Sequence, residues 1–279
     1  MCTLFGGEEL LMTRPLLSDR ARVVASLAEQ LRELEGTRFD AQAGAGEVVS
    51  TGLPGLDRML PERGLHRGTL VEWLSEVGHS QSGWGSGAGT LALLAAREAL
   101  AMGGVLVVID RARRFYPPAA LGLGVPLERM ILVRPGTATD EAWALDQVLR
   151  SRGVAALWCP LEQAGEHAQR RWHLAAETSG VLGLLVRGPQ ARSEPSWAEL
   201  RLGVRPLVQP SSHRARRLCV EILRSRWGAV GEAVEVDLPE RIPSDEWQGG
   251  RRGADHEADA VSVASSVAFA ADRRHSRRA

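Results

Sequence analysis

From about residue 49 to residue 238 the chain alternates short runs of aliphatic and β-branched residues with stretches of helix formers, and this rhythm restricts its fold more than any other feature. Neighbouring parallel strands need a crossover of a dozen or more residues, and that crossover is usually a helix. The spacing predicts strands over 68–74, 105–110, 130–133, 154–158 and 181–186. Helices are predicted over 90–102, 139–152 and 161–178, the second amphipathic through Ala142, Leu145, Val148 and Leu149. After residue 197 the rhythm changes, and 199–208, 217–227 and 233–238 read as antiparallel strands joined by turns. The expected class is α/β: a mostly parallel sheet flanked by helices and extended by antiparallel strands.

The two flanks have other characters. Ser18 and Asp19 precede Val24, Leu27, Leu31 and Leu34 at helical spacing, which predicts an amphipathic helix over 18–36 and then a Gly- and Ala-rich linker. That helix either packs on its own domain or is offered to a second copy for self-association. Beyond residue 240, small residues and the pairs Arg251–Arg252, Arg273–Arg274 and Arg277–Arg278 cannot bury enough apolar surface to offset chain entropy. The organisation is therefore read as a helix and linker over 1–48, a core over 49–240 and a disordered arginine-containing tail over 241–279.

Basic and acidic residues number 34 each, so no global field draws in nucleic acid, and any DNA contact is expected to be weak or indirect. All the basic residues are arginine. The sequence contains no lysine, which excludes every chemistry that needs a primary side-chain amine. Asparagine is also missing and Ala, Arg and Gly abound, so codon bias contributes to that absence. Cys2, Cys159 and Cys219 are widely spaced and the histidines show no ligand spacing, so neither a disulfide framework nor a metal site is expected. No apolar run approaches the ~20 residues that span a bilayer, and the first residues, MCTLFGGEELLM, carry acids instead of a basic leader. A cytoplasmic protein away from membranes is the expectation.

One segment carries a chemical signature. The strand predicted over 68–74 is followed by GWGSGAGT, residues 83–90, and then by helix, an order in which free backbone N–H groups and the helix dipole face an anion. Fitted to G-x-x-x-x-G-K-[ST], Gly83 takes the first glycine position, Ala88 the second, Gly89 the lysine position and Thr90 the hydroxyl position. The candidate binding residues are Gly83, Gly85, Ser86, Gly87, Ala88, Gly89 and Thr90. No catalytic residue is assigned, and no cofactor is expected beyond weak ATP binding. Trp84 lies in the same loop, where it can cap the nucleotide site or anchor a partner; Trp73, Trp158, Trp172, Trp197 and Trp227 fall on or beside core elements.

The surroundings of the loop widen the pattern. STGLPGLDRML at 50–60, RGLHRGTLVEW at 63–73, VLVVID ending at Asp110 with Pro117 beyond it, and LGLGVPLERMILVRP all resemble the core of RecA-family proteins. The resemblance covers roughly residues 49–238, and within the family it is strongest to ImuA-type accessory proteins of bacterial mutagenic translesion synthesis. It implies a phosphate-binding lysine where this chain has Gly89. It implies a water-activating glutamate just after the second strand, where the chain reads Arg111, Ala112 and Arg113. It implies a magnesium-holding aspartate at the end of the fourth strand, where residues 155–160 carry no carboxylate and Glu162 is the nearest. Arg111 or Arg113 is the nearest cation by topology to stand in for the lysine. The DNA-binding loops of the family look trimmed, with Arg187 and Arg192 left in the second. The function implied is a non-hydrolysing accessory protein of the SOS response and DNA-damage tolerance, with a Y-family-like polymerase subunit and an error-prone C-family polymerase as partners. The alternatives are an active ATPase of the RecA or KaiC class acting in DNA recombination or repair, and a cell-division or regulatory binder on the same fold.

Overall fold

The computed structural model describes residues 47–76, 85–207, 216–226 and 230–238. The helix predicted over 18–36, most of the linker, Gly83, Trp84, Trp227 and the tail over 241–279 lie outside the described residues.

The chain enters through β1 (Val48–Val49), α1 (Pro54–Met59) and β2 (Leu65–His66), β1 pairing antiparallel with β2. The Ser-Thr-Gly turn and the Leu-Asp pair of this entry segment are one device. Asp57 accepts hydrogen bonds from Thr51 N (2.8 Å), Thr51 Oγ1 (2.7 Å) and Ser50 Oγ (2.6 Å), so its carboxylate ties the turn to the first helix. Then follow β3 (Leu70–Ser75), α2 (Ala88–Ala101), β4 (Val105–Ile109), α3 (Pro117–Gly122), β5 (Met130–Val133), α4 (Ala138–Leu149), β6 (Val154–Pro160), α5 (Glu166–Ser179) and β7 (Leu182–Arg187). Three more strands close the fold: β8 (Leu200–Pro206), β9 (Arg216–Ser225) and β10 (Ala233–Leu238).

Among the described residues ten strands give one two-stranded and one eight-stranded sheet, the latter in the order β10-β9-β8-β3-β7-β6-β4-β5. β3, β7, β6, β4 and β5 are parallel; the first four are buried along their length, as strands covered on both faces are, while β5 at the edge alternates between buried and half-buried residues. α2 packs on β3, β6 and β7, while α4 and α5 pack on each other; right-handed crossovers put these two groups on opposite faces. From β3 the chain crosses to β4, adds β5 outside it and returns through β6 and β7, so the carboxyl ends of these parallel strands share one edge, the side on which open α/β sheets hold ligands.

The predicted elements at 130–133 and 233–238 are found at those bounds. Others shift for local reasons. The first strand starts at Leu70, because Gly68 is left-handed (φ 76°) and ends the preceding turn. The helix predicted over 161–178 starts at Glu166: residues 161–165 form a loop that carries Glu162 towards β4. The segment predicted over 199–208 is antiparallel only to β9; on its other side β8 runs parallel to β3 and joins the meander to the parallel sheet. Among the described residues no helix is long and apolar enough to cross a membrane.

Candidate functional site

The carboxyl end of β3 leads towards the glycine-rich loop, of which Gly85 to Thr90 are described and Gly83 is not. Gly85 and Gly87 are both left-handed, at φ 92° and 99°, a region L side chains avoid. At Gly87 space is closed as well, since a Cβ there would meet Leu218 Cδ1 at 2.5 Å. Ser86 is buried, and its Oγ accepts a hydrogen bond from Ala88 N at 3.1 Å, so one amide at the start of α2 is already used. Arg216, at the start of β9, donates to the Gly85 carbonyl. Burial lowers the pKa of that guanidinium, though not enough to discharge it.

Position 89 is where the family's lysine is expected, and an indole occupies its surroundings. Trp158 of β6 donates from Nε1 to the Gly89 carbonyl (3.1 Å), and its Cζ2 lies 3.2 Å from where a Cβ on Gly89 would stand. The ring is held from behind by Phe115, with centroids 5.3 Å apart and planes tilted by 57°, and Trp158 is only 2% exposed. A bulky, hydrogen-bonded side chain thus packs where a lysine stem would begin.

The other two positions of the family's chemistry meet beside it. Asp110 ends β4 buried, and its carboxylate accepts from Arg114 N (3.1 Å) and Phe115 N (2.8 Å), which shapes the turn that supplies Phe115. Arg111 points the other way. Its Nε donates to Glu141 Oε2 and its Nη2 to Glu162 Oε2, each at 3.0 Å. The hydrogen bond to Glu141 raises the Arg111 pKa. For Glu141, burial raises the carboxyl pKa and outweighs the opposing pull of Arg111. The nearest stand-in cation and the nearest stand-in carboxylate therefore bind each other. Cys159, at the end of β6 where the family's metal carboxylate is expected, is fully buried; burial pushes its thiol pKa well up and keeps it protonated. Arg113, the second stand-in, is exposed and left-handed at φ 55°. Among the described residues no group of three or more His, Cys, Asp or Glu could hold a metal ion.

A buried ionic network fixes the segment after β7, which sequence reasoning did not foresee. Glu72 of β3 accepts from Arg187 Nη1 (3.0 Å) and from Arg201 Nε (2.7 Å). Arg187 also pairs with Glu194, and Arg201 donates to the carbonyls of Ala191 and Glu194. Arg192 pairs with Glu76, the residue that follows β3. In the sequence Glu72 stands as the one acid of RGLHRGTLVEW, with no local sign of which arginines reach it.

No family model matches the chain. Among curated proteins it is similar to RecA of Chelativorans sp. (strain BNC1), 29% identical over 62% of this chain and 46% of that one. RecA of Rhizobium leguminosarum bv. viciae is 32% identical over 52% of this chain and 38% of its own length, so the match spans less than half of either RecA. ImuA of Caulobacter vibrioides is 28% identical over 66% of this chain and 81% of that protein. Among solved structures, the crystal structure of the RadB recombinase superposes with a TM-score of 0.51 at 17% identity, over 67% of this chain and 94% of that one. The chain is thus RecA-like in fold, and in sequence it is similar to RecA and to ImuA.

Proposed function

We propose that this chain is an accessory protein of DNA-damage tolerance that supports error-prone translesion synthesis through protein partners and does not hydrolyse ATP. The observation that carries the second half is the packing of Trp158 on Gly89, reinforced by the closed triad of Arg111 with Glu141 and Glu162. A charge-assisted phosphate contact contributes about 1.5–3 kcal/mol. One preorganised donor to a transition state is worth about 10²–10³ in rate. Without the lysine, the water activator and the metal carboxylate together, turnover falls below detection even where loop amides still hold an anion. The similarity to ImuA supports the first half and suggests a Y-family-like polymerase subunit and an error-prone C-family polymerase as partners.

The test is ATP turnover by the full chain, with and without single-stranded DNA, together with affinity recovery from DNA-damaged cells. Absent turnover and recovery of translesion polymerases are expected. Turnover comparable to that of a working RecA would remove the non-hydrolysing reading, and recovery of division proteins without polymerases would remove the translesion reading.

A further inference from the structure

A second concave site lies at the opposite ends of the strands from the glycine-rich loop. It is a cavity of about 390 Å³, walled by His173 of α5, by Trp197 and Glu199 ahead of β8, and by Arg224 and Arg226 at the end of β9. The position follows from the register: Glu199 N donates to the carbonyl of Leu70, the first residue of β3, and Arg226 N donates to the Glu199 carbonyl. Its walls are pinned. Gln169 of α5, buried, accepts from Trp197 N (3.1 Å) and donates to the Ala164 carbonyl (3.1 Å), so the helix and the chain ahead of β8 hold one spacing.

The chemistry of the cavity is apolar within and cationic at the rim. Glu199 lies at the base, already neutralised by Arg226 Nη1 at 3.1 Å. His173 Nδ1, shut off from solvent, has no hydrogen-bond partner among the described residues and stands 3.8 Å from Glu199 Oε1. Arg170 lies over the Trp197 ring, 5.4 Å from its centroid, and Arg224 donates to the Ser196 carbonyl. Neither of these two guanidinium groups has a carboxylate partner among the described residues.

We infer that this cavity docks an acidic segment of a partner protein, seating one bulky apolar side chain against Trp197 and His173 while carboxylates on either side meet Arg170 and Arg224. The volume sits near the lower end of ligand pockets, ~300–1,000 Å³, which suits a single anchoring side chain better than an extended small molecule. Aromatic and arginine residues around a pocket are the usual make-up of an interface hot spot. A nucleic-acid strand fits less well. Base stacking needs an open aromatic face, and Arg170 covers one face of the indole, with His173 6.3 Å away at a 39° tilt. The inference extends the accessory reading, on which it rests for the existence of a partner, but the cavity is far from the loop that turnover assays read.

The test is fluorescence anisotropy of the full chain with a labelled peptide of alternating aspartate and glutamate around one central leucine. A matched peptide with glycine at the centre and a labelled oligothymidylate serve as comparisons. The leucine peptide should bind with salt-dependent affinity, the glycine peptide more weakly, and the double variant Arg170→Glu, Arg224→Glu should weaken binding about tenfold or more. Both side chains are exposed at their tips, so the variant should fold; circular dichroism checks this. Protection of the 196–199 amides from hydrogen exchange on adding the leucine peptide is the second expected readout. Absence of binding, equal binding of the glycine peptide, indifference to the double variant, or an oligothymidylate that binds through the same arginines would each overturn the inference. None of these results depends on whether ATP is hydrolysed, so this inference and the loop's reading fail separately.

Discussion

Placing the family's lysine back at position 89 should cost stability and restore nothing. In Gly89→Lys the new Cβ starts 3.2 Å from Trp158 Cζ2, a distance that forces the ring to give by a few tenths of an ångström, and the stem behind it needs more. The ring has nowhere to go, because it is buried between α2 and Phe115. Overpacking of this kind costs about 1–3 kcal/mol. Disturbing the Trp158 Nε1 bond to the Gly89 carbonyl adds about 0.5–1.5 kcal/mol. Replacing a helical glycine offsets about 0.5–1 kcal/mol of this. The net is a loss of about 0.5–4 kcal/mol, or a fall in Tm of several degrees for a domain of this size. Thermal unfolding followed by circular dichroism measures it, beside ATP turnover of the same variant. Gly89→Ala should lose less, and the pair Gly89→Lys, Trp158→Leu should recover part of the loss by opening the space. The reasoning is refuted if Gly89→Lys alone melts with the parent and hydrolyses ATP, since position 89 would then be open and the remaining chemistry present.

Three further outcomes follow from other parts of the molecule. Glu72→Ala leaves Arg187 and Arg201 buried without their shared carboxylate and should destabilise by about 3–5 kcal/mol in urea unfolding, whereas Glu194→Ala, at a half-exposed acid, should lose far less. At Asp146, burial raises the carboxyl pKa, but hydrogen bonds from Arg150 and Arg171 outweigh it, and the net shift is downward. A depressed carboxyl pKa contributes stability that is present above the unfolded value, about 3.9, and is lost as pH falls through the folded value; Asp146→Asn should therefore flatten the acid limb of a stability profile below about pH 4 while leaving neutral-pH salt dependence weaker. If residues 18–36 mediate self-association, a chain lacking residues 1–40 should sediment with fewer subunits per particle than the full chain, and an unchanged subunit number would end that role.

The strands were legible because a sheet covered on both faces demands continuous apolar runs, and VLVVI, MILV and AALW supply them between unmistakable helix formers. β1 and β2 were not, since two residues each leave no period to count. The parallel partner of β8 was not legible either: alternation says which residues face inwards but not which strand lies alongside. The missing lysine was a plain sequence fact, and the loop's position ahead of a helix followed from strand order. What fills the gap was hidden. Trp158 reads as one more core residue until the fold brings it against Gly89, 69 positions away, and Arg111 reads as a free cation until Glu141 and Glu162 arrive from 30 and 51 positions along the chain. Contacts of that range are set by topology, which no local pattern encodes.

The turn after β7 is clamped. Glu72 and Glu76 of the β3 segment hold Arg187, Arg201 and Arg192 by charge, so both ends of that turn are tied to one strand. A clamp of this kind resists displacement, because freeing one partner would leave a buried charge uncompensated. The turn is therefore held as one piece with β3, and whatever meets it meets a fixed surface.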